Sequence, residues 1–344
     1  MKHTWIAAGV AAALLMTGLP VMGSAPAEPK EISILNYNVA GLPKLFGNAA
    51  ADVEANQRAI GQILAGSEYD IIAVQEDFGY HKALAAGLTG YPYTTNYSGG
   101  VPGGDGMNIW SEYPLYNETR EAWEEAYGII EDGADEMTPK GILYTVVDLG
   151  DGVYLDFYDI HADAYGDEGS AAARRAQYLQ LAEMIAENSE GRPVIVTGDF
   201  NISLHHGDSC GLWENFMEPL GLRDAWIELY NDGNYTDFSA WADSGEEWDS
   251  IEKFLYRSGG GVEIDPLSFA CTCICGEDEV SLSDHPAAEV SFSITKTADF
   301  TPYSGELEVT KDRWLPRAWQ IFTTVLADLG RLFANLDQLI AYLQ

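Results

Sequence analysis

Hydrophobic and polar residues alternate along this chain with two different periods, and together these patterns predict interleaved strands and helices. Residues 31–38 (EISILNYN) alternate polar and apolar side chains as a half-buried strand does, and residues 70–74 (DIIAV) are typical of a short buried strand. Between these two segments, residues 52–65 repeat their apolar side chains at helical spacing. This part of the chain is therefore predicted to fold as strand, helix and strand.

The same patterns continue through the second half of the chain. Residues 142–149 and 153–160 alternate as two strands joined by a Gly-Asp-Gly turn, which predicts a hairpin. Residues 171–188 are rich in strong helix formers. Further strands are predicted at 107–110, 193–199, 251–256 and 287–292. Hairpin-linked strands mixed with strand–helix alternation predict an α/β (α+β) fold in which mixed sheets pack together with helices outside.

The first 27 residues are predicted to be a signal peptide. Lys2 and His3 give a weakly basic start, residues 6–15 are apolar, and Ala25-Pro26-Ala27 has the small-x-small form that signal peptidase cuts. An uncleaved anchor is the alternative, but the apolar run falls short of the roughly 20 residues that span a bilayer. We therefore expect a secreted or cell-surface protein whose main domain occupies residues 28–295.

Residues 296–344 are predicted to form a C-terminal extension. From residue 311 onward, apolar side chains recur mostly every three or four positions, which predicts an amphipathic helix. This segment carries four basic and three acidic residues in an otherwise very acidic chain. It could lie in a lipid interface as a peripheral membrane contact, dock on the main domain, or pair with a second copy of the chain.

The charge balance narrows the choice of substrate. With 54 acidic and 18 basic residues, the formal net charge is −36, and such a field repels polyanions. Nucleic acid is therefore a less natural substrate, although a divalent cation and local lysines can reverse the potential inside one cleft. The acidity can also reflect solubility alone. Apolar content of 47% with nine Trp excludes a disordered chain.

Four cysteines in an exported chain predict one or two disulfides. Cys271, Cys273 and Cys275 would point to the same side of an extended strand, where neighbours are poorly placed to bond. We therefore expect Cys210 to pair with one of these three. A zinc site is the alternative, although C-x-C-x-C lacks the usual spacing of zinc ligands.

Polar side chains follow several predicted strands, at the positions where those strands end. Asn38, Glu76, Asp199 and Asn201 offer oxygen ligands of the kind that Mg²⁺ prefers. Each of these residues alone is more often a turn or helix cap, but four of them at apolar strand ends are harder to explain that way. The sequence therefore predicts a divalent-metal site built from strand ends.

Two histidines and a lysine add the groups that phosphoester cleavage needs. His285 is suited to proton transfer near neutral pH, and its neighbour Asp284 could orient the ring or ligate the metal. His161 could be a charged donor to a phosphoryl oxygen. Lys140 could bring positive charge to a phosphate, or it could be a solvated loop lysine. His205 and His206 are expected in an exposed loop without a role.

These residues belong to motifs that resemble the endonuclease/exonuclease/phosphatase superfamily, which has the DNase I-like fold. Five motifs stand in that family's order: NYNV at 36–39, QE at 75–76, YDIHADA at 158–164, GDFN at 198–201 and SDH at 283–285. The resemblance spans residues 31–294. Within the superfamily, DGADEMTPKG before the hairpin and SDHPA near the end look most like the secreted and neutral sphingomyelinase branch.

The resemblance implies a four-layer α/β sandwich and Mg²⁺-dependent cleavage of a phosphoester by in-line attack of water, with Mn²⁺ or Ca²⁺ as alternative cations. It implies the following roles: Glu76 ligates the metal, Asn38 assists at the metal and phosphate, Asp284 stands beside the general base His285, His161 contacts the phosphoryl group, and Asp199 and Asn201 position the water and phosphate.

One position departs from the family pattern, since this chain reads Ile251-Glu252 where members often have Ile-Asp. Glu252 is therefore left outside the predicted site. The leading hypothesis for function is a secreted phosphodiesterase that releases phosphocholine or a similar lipid headgroup. The alternatives are an extracellular DNase-like nuclease or phosphatase, and a non-catalytic, toxin-like binding subunit.

Overall fold

The computed structural model describes residues 28–43, 50, 52–101, 103–128, 140–239, 250–299, 303 and 307–309. The strands within these ranges are β1 (Lys30–Asn38), β2 (Ile71–Gln75), β3 (Tyr93–Thr94), β4 (Asn108–Ser111), β5 (Leu115–Ala122), β6 (Gly141–Gly150), β7 (Val153–His161), β8 (Val194–Asp199), β9 (Arg223–Asp224), β10 (Glu252–Arg257), β11 (Val262–Thr272) and β12 (Ala287–Lys296). The α-helices are α1 (Val53–Ala65), α2 (His81–Gly87), α3 (Glu168–Asn188), α4 (Glu218–Leu220) and α5 (Ala225–Tyr230).

The strands form two six-stranded mixed sheets. The first has the order β11-β12-β1-β2-β4-β3 and the second has the order β5-β6-β7-β8-β10-β9. β1 and β2 run parallel in the first sheet, and β7 and β8 run parallel in the second. The remaining pairs are antiparallel. The predicted mixed-sheet fold with flanking helices is therefore confirmed.

The alternation of β1 shows how the layers arise. Ile32 and Ile34 belong to the core between the sheets, whereas Leu35 and Tyr37 face the other way into a second cluster. That second cluster includes Ile60 from α1, together with residues of α2. Side chains of α3 pack on the other sheet as part of the large core. Because successive side chains point to opposite faces of a strand, one strand supplies two cores, and a four-layer sandwich follows.

The predicted helices begin at polar caps. Asp52 accepts a hydrogen bond from Ala55 N at 3.0 Å, so α1 lies where the sequence predicted it. Asp167 caps α3 by accepting from Gly169 N and Ser170 N, which starts this helix three residues before the predicted Ala171. Strands β3, β5, β9 and β11 were not predicted. β11 contains Pro266 beside a register shift and alternates only weakly in burial, so its sequence pattern is poor.

The expected pairing of Cys210 is wrong. The disulfide joins Cys273 to Cys275, whose Cα atoms are 5.4 Å apart. β11 ends at Thr272, so these two residues are not held in the extended strand that would have kept them apart. Cys210 is instead a buried core thiol that accepts a hydrogen bond from Arg174 Nε at 3.3 Å. The alternative zinc site loses two ligands to this disulfide.

Described residues beyond position 300 contact the second sheet. Tyr303 donates its hydroxyl hydrogen to Asp156 Oδ1 at 2.6 Å, and Glu308 N donates to Asn117 Oδ1 at 2.8 Å. The predicted signal peptide and the predicted amphipathic helix from residue 311 onward lie outside the described residues. Among the helices that are described, none is both long and apolar enough to cross a bilayer.

Candidate active site

Six strands bring polar residues to one edge of the sandwich. β1, β2, β7 and β8 end at this edge, with Asn38, Gln75, His161 and Asp199 as their last residues. β10 and β12 run antiparallel to their neighbours and therefore begin here: Glu252 lies opposite Asp199, and His285 stands two residues before β12. Residues that are far apart in sequence thus meet in one place.

Asn38 stands at the centre of this group. Its Nδ2 lies 3.2 Å from Glu76 Oε1, 3.2 Å from Asp199 Oδ2 and 3.4 Å from His285 Nε2. Its own orientation is fixed, because Ala40 N donates to Asn38 Oδ1 at 3.1 Å. Asn38 is fully buried. One amide therefore connects two carboxylates and an imidazole that the sequence predicted as site residues.

His285 is held by Glu252. The imidazole Nδ1 lies 2.6 Å from Glu252 Oε1, and Ser250 Oγ donates to Glu252 Oε2. Burial disfavours the imidazolium, but the hydrogen bond to Glu252 and the nearby carboxylates outweigh burial and raise the pKa of His285 to about 10. His285 and Glu252 therefore form a hydrogen-bonded acid–base pair.

The structure places Glu252 among the predicted site residues, although the sequence analysis left it outside. Its extra methylene, compared with aspartate, does not displace the carboxylate, which reaches His285 and is 1% exposed as a residue. Asp284, expected to orient the ring, is exposed, and its carboxylate oxygen Oδ1 lies 3.5 Å from Ser283 Oγ. An acidic residue at the start of the predicted strand was the signal that could have identified Glu252. The sequence alone does not reveal which neighbouring strand such a residue faces.

Asp199 and His161 lie side by side at the ends of the parallel pair. His161 Nε2 is 3.5 Å from Asp199 Oδ2, and both side chains are almost fully buried. Burial, together with the charges of Lys140 and His285, lowers the pKa of His161 well below its usual value, so the imidazole is neutral near pH 7 rather than the charged donor that was expected. Its Nδ1 is buried and has no hydrogen-bond partner among the described residues.

The predicted GDFN and QE motifs require unusual backbone conformations. Gly198 has φ of 138°, and a Cβ there would lie 2.0 Å from Ile160 O, so only glycine fits. Asn201 and Glu76 adopt left-handed φ values of 51° and 60°. Asn201 Nδ2 donates to Ala162 O at 3.0 Å, which fixes this side chain beside the β7 end. Strained non-glycine backbone of this kind is frequent at functional sites.

Lys140 is a buried residue, not a solvated loop lysine. Its Nζ donates to Ala162 O at 3.2 Å, and the residue is 8% exposed. Burial raises the pKa of Glu76 and of Asp199, and the charge of Lys140 opposes both increases. Lys140 and His285 are therefore the two basic residues whose charges lower the pKa of both carboxylates.

The donor set fits a divalent cation. Ligand atoms of Asp199, Glu252 and His285 lie within 4.8 Å of one another, and Glu76 is joined to them through Asn38. Burial raises the pKa of Glu76, and burial together with the charge of Glu252 raises the pKa of Asp199. Carboxylates crowded in this way are costly without a nearby positive charge, and oxygen donors suit hard cations.

The fold is a two-sheet α/β sandwich, and its site places carboxylates and the acid–base pair of His285 and Glu252 at one edge. Residues 35–285 match the model of the Endonuclease/Exonuclease/phosphatase family. The chain belongs to this family, as its motifs predicted.

Relatives and solved structures extend this finding. A sphingomyelinase of Mycobacterium tuberculosis is 32% identical over 270 residues, which cover 76% of this chain and 52% of that protein. The chain thus spans about half the length of this curated relative. Sphingomyelinase C from Streptomyces griseocarneus has a TM-score of 0.54 at 19% identity, covering 76% of this chain and 99% of the other. A humanized D. rerio TDP2 has a TM-score of 0.55 at 17% identity, covering 76% and 98%. The two structural likenesses show the fold.

Proposed function

We propose that this protein is an exported, divalent-metal-dependent phosphodiesterase that hydrolyses sphingomyelin or a similar lipid at the headgroup phosphate. The observation that carries this proposal is the position of His285. Its Nδ1 is held by Glu252 at 2.6 Å, while its Nε2 lies 3.4 Å from Asn38, beside the carboxylates of Glu76 and Asp199. A base, its orienting carboxylate and candidate metal ligands thus stand together.

Glu76, with Asn38 beside it and Asp284 at the exposed rim, would hold the cation. The 2.6 Å between His285 Nδ1 and Glu252 Oε1 is a hydrogen-bond distance, so this pair is assigned to proton transfer. Asp199, which shares the Asn38 amide with Glu76, would remain as a further oxygen donor for the cation. When bound, the cation supplies positive charge for the phosphoryl oxygens. Mg²⁺ is proposed, and Mn²⁺ or Ca²⁺ would be compatible with the same oxygen donors.

His285 would act as the general base. In the cation-free protein the pKa of about 10 keeps the ring of His285 charged near neutral pH, and the positive charge of a bound cation would lower that pKa. The neutral ring then keeps the Nδ1 proton that it donates to Glu252, and Nε2, which faces the Asn38 amide, carries a lone pair. Nε2 can then accept a proton from the attacking water, and the carboxylate of Glu252 stabilises the imidazolium that forms. Asp199 accepts from Asn201 N at 3.0 Å, so these two residues are held together to position the water and phosphate.

The phosphoryl oxygens would be met by donors from the other side of the site. His161 is neutral, so it would donate a single N–H rather than a full charge. Lys140 would contribute the positive charge. Its Nζ is held near the end of β7 by the hydrogen bond that it donates to Ala162 O. Preorganised donors in a buried setting stabilise developing charge without having to reorganise during the reaction.

The choice of a lipid substrate rests on the sphingomyelinase relative and on net charge. That relative is 32% identical, and a net charge of −36 disfavours a polyanionic nucleic acid. A nuclease remains the second candidate, because the buried Lys140 makes the site locally less acidic than the whole chain. Export through residues 1–27 and peripheral membrane contact through the segment from residue 311 onward are part of the proposal.

Hydrolysis assays on the purified protein test this proposal. Sphingomyelin, plasmid DNA and a small phosphomonoester are each incubated with Mg²⁺ or with a chelator, and His285→Ala serves as the control. We expect release of phosphocholine from sphingomyelin that requires the cation and disappears in His285→Ala. Rapid DNA nicking with intact lipid would establish the nuclease instead. No hydrolysis of any substrate would favour a non-catalytic binding subunit.

A further inference from the structure

A cavity outside the acid–base site is lined by aromatic and acidic side chains. It has a volume of about 600 Å³, which falls within the usual size of small-molecule sites. We call it the acidic aromatic cavity and define it by these lining residues: Asp208, Trp213, Glu214, Tyr235, Asp237 and Phe238. None of them takes part in the proposed chemistry.

The aromatic wall of this cavity is fixed in place. The rings of Trp213 and Tyr235 stack at 3.8 Å with planes 10° apart. Trp213 N donates to Asp208 Oδ2 at 2.9 Å, and the Tyr235 hydroxyl donates to Glu228 Oε1 at 2.9 Å. Both rings are half-buried and pack against the core. The wall is therefore formed before any ligand arrives, which reduces the entropy that binding costs.

Acidic side chains outnumber basic ones around the cavity, where His205 is the one basic residue in the described lining. Asp208, Glu214 and Asp237 contribute three carboxylates, and no Lys or Arg stands among the described residues that line it. Two oxygens of Asp208 already accept backbone N–H groups of Leu212 and Trp213, so this residue serves mainly as a cap. The remaining carboxylates give a negative potential beside aromatic rings, and this combination suits a weakly hydrated organic cation.

We propose that the acidic aromatic cavity binds a quaternary ammonium group. The aromatic faces supply cation–π attraction and apolar contact, while the carboxylates favour the positive charge without a strict demand for hydrogen bonds. A neutral or anionic molecule of the same shape gains only the apolar part of this interaction.

Two sources could provide the quaternary ammonium group. The cavity begins at Leu204, three residues after Asn201, so its first lining residue lies within about 11 Å of Asn201 along the chain. One source is a choline lipid whose phosphate occupies the site, and the competition experiment below tests whether its headgroup reaches the cavity. A free organic cation such as choline could also bind independently. Both sources present the same quaternary ammonium group to the cavity, and the experiment distinguishes between them.

Calorimetric titration with choline, using the uncharged carbon isostere dimethylbutanol as the matched ligand, tests the proposal. We expect choline to bind about tenfold more tightly than the isostere. Trp213→Ala should weaken choline binding about tenfold, and Glu214→Gln should weaken it roughly threefold in low salt. Tyr93→Ala, which removes an exposed ring from β3, is the control and should leave choline affinity unchanged. Trp213→Phe retains a ring, and it provides a milder variant if Trp213→Ala does not fold.

Two results would overturn the proposal: equal affinities for choline and dimethylbutanol, or choline binding that is insensitive to both Trp213→Ala and Glu214→Gln. If choline inhibits hydrolysis of the lipid substrate by competing with it, and Trp213→Ala abolishes this inhibition, the occupant of the cavity is the lipid headgroup. Binding without competition identifies a free organic cation. Because binding is also measured on His285→Ala, which cannot turn over, failure of the proposed hydrolysis would leave this inference standing.

Discussion

His285 Nδ1 lies 2.6 Å from Glu252 Oε1, although the two residues are 33 positions apart. Their proximity follows from strand register: Glu252 is the first residue of β10 and pairs with Asp199 at the end of β8, while His285 precedes β12 at the same edge. The site therefore contains an oriented histidine whose partner carboxylate comes from the opposite sheet.

Glu252→Gln should reduce kcat strongly while the fold is retained. The glutamine side chain has nearly the same shape, but it carries no charge to stabilise the imidazolium and can present an N–H to Nδ1, which favours the wrong tautomer. We expect a loss on the order of 10²- to 10⁴-fold in kcat with a much smaller change in KM. Steady-state kinetics on the hydrolysed diester measure both parameters.

Glu252→Asp is the matched control for that experiment. It keeps the charge and restores the residue found in the family pattern, although the carboxylate is shorter by one methylene. We expect activity well above that of Glu252→Gln. Equal losses in both variants would mean that packing, rather than charge, is what Glu252 contributes.

His285 should make the stability of the cation-free protein depend on pH. Its pKa is raised to about 10 in the folded state, from about 6.5 in an unfolded chain. The folded state therefore binds the extra proton between these values, so the stabilisation is complete below about pH 6.5 and is lost as the pH approaches 10. Thermal unfolding in chelator should show the advantage of the native protein over His285→Gln shrinking across this window. A constant difference would contradict the assignment.

Glu76→Gln should change cation affinity and stability in opposite directions. Burial raises the pKa of Glu76, so the ionised carboxylate is unfavourable in the cation-free fold and a neutral amide relieves this cost. We expect a higher melting temperature in chelator but at least tenfold weaker Mg²⁺ binding by calorimetry. Unchanged Mg²⁺ affinity would show that Glu76 is not a ligand and that other carboxylates hold the cation.

Asp159→Asn should stabilise the protein at neutral pH. Asp159 is fully buried between the sheets, its Oδ1 accepts from Gln75 Nε2 at 2.6 Å, and its Oδ2 has no hydrogen-bond partner among the described residues. Burial raises the pKa of this carboxyl well above its usual value, so native stability falls as the pH rises from about 3.9 through the folded-state value.

We expect Asp159→Asn to raise the free energy of unfolding by about 1 kcal/mol or more at pH 8. The gain should shrink towards pH 4, where the native carboxyl is protonated. Denaturant titrations at both pH values measure this, with the exposed Glu31→Gln as control. A gain of equal size at both pH values would rule out ionisation of Asp159 as the cause.

Much of the fold could be predicted from the sequence, because the spacing at which apolar side chains recur is set locally along the chain. The two-residue alternation of β1 sets Ile32 and Ile34 on one face and Leu35 and Tyr37 on the other, and this alone predicts a strand between two apolar layers. The same reasoning identified Asn38 and Asp199 as polar residues at strand ends. Family motifs then supplied their order, and the match over residues 35–285 confirmed the family.

Sequence by itself thus determined the elements, the mixed-sheet class and the candidate residues Asn38, Glu76, His161, Asp199 and His285. Only the tertiary structure decided that Glu252 joins His285, that Cys273 pairs with Cys275, and that Lys140 is buried. The physical reason is that periodicity reports which face a residue occupies, whereas a contact depends on strand register and on where each strand ends. Those are settled by packing between segments far apart in the chain.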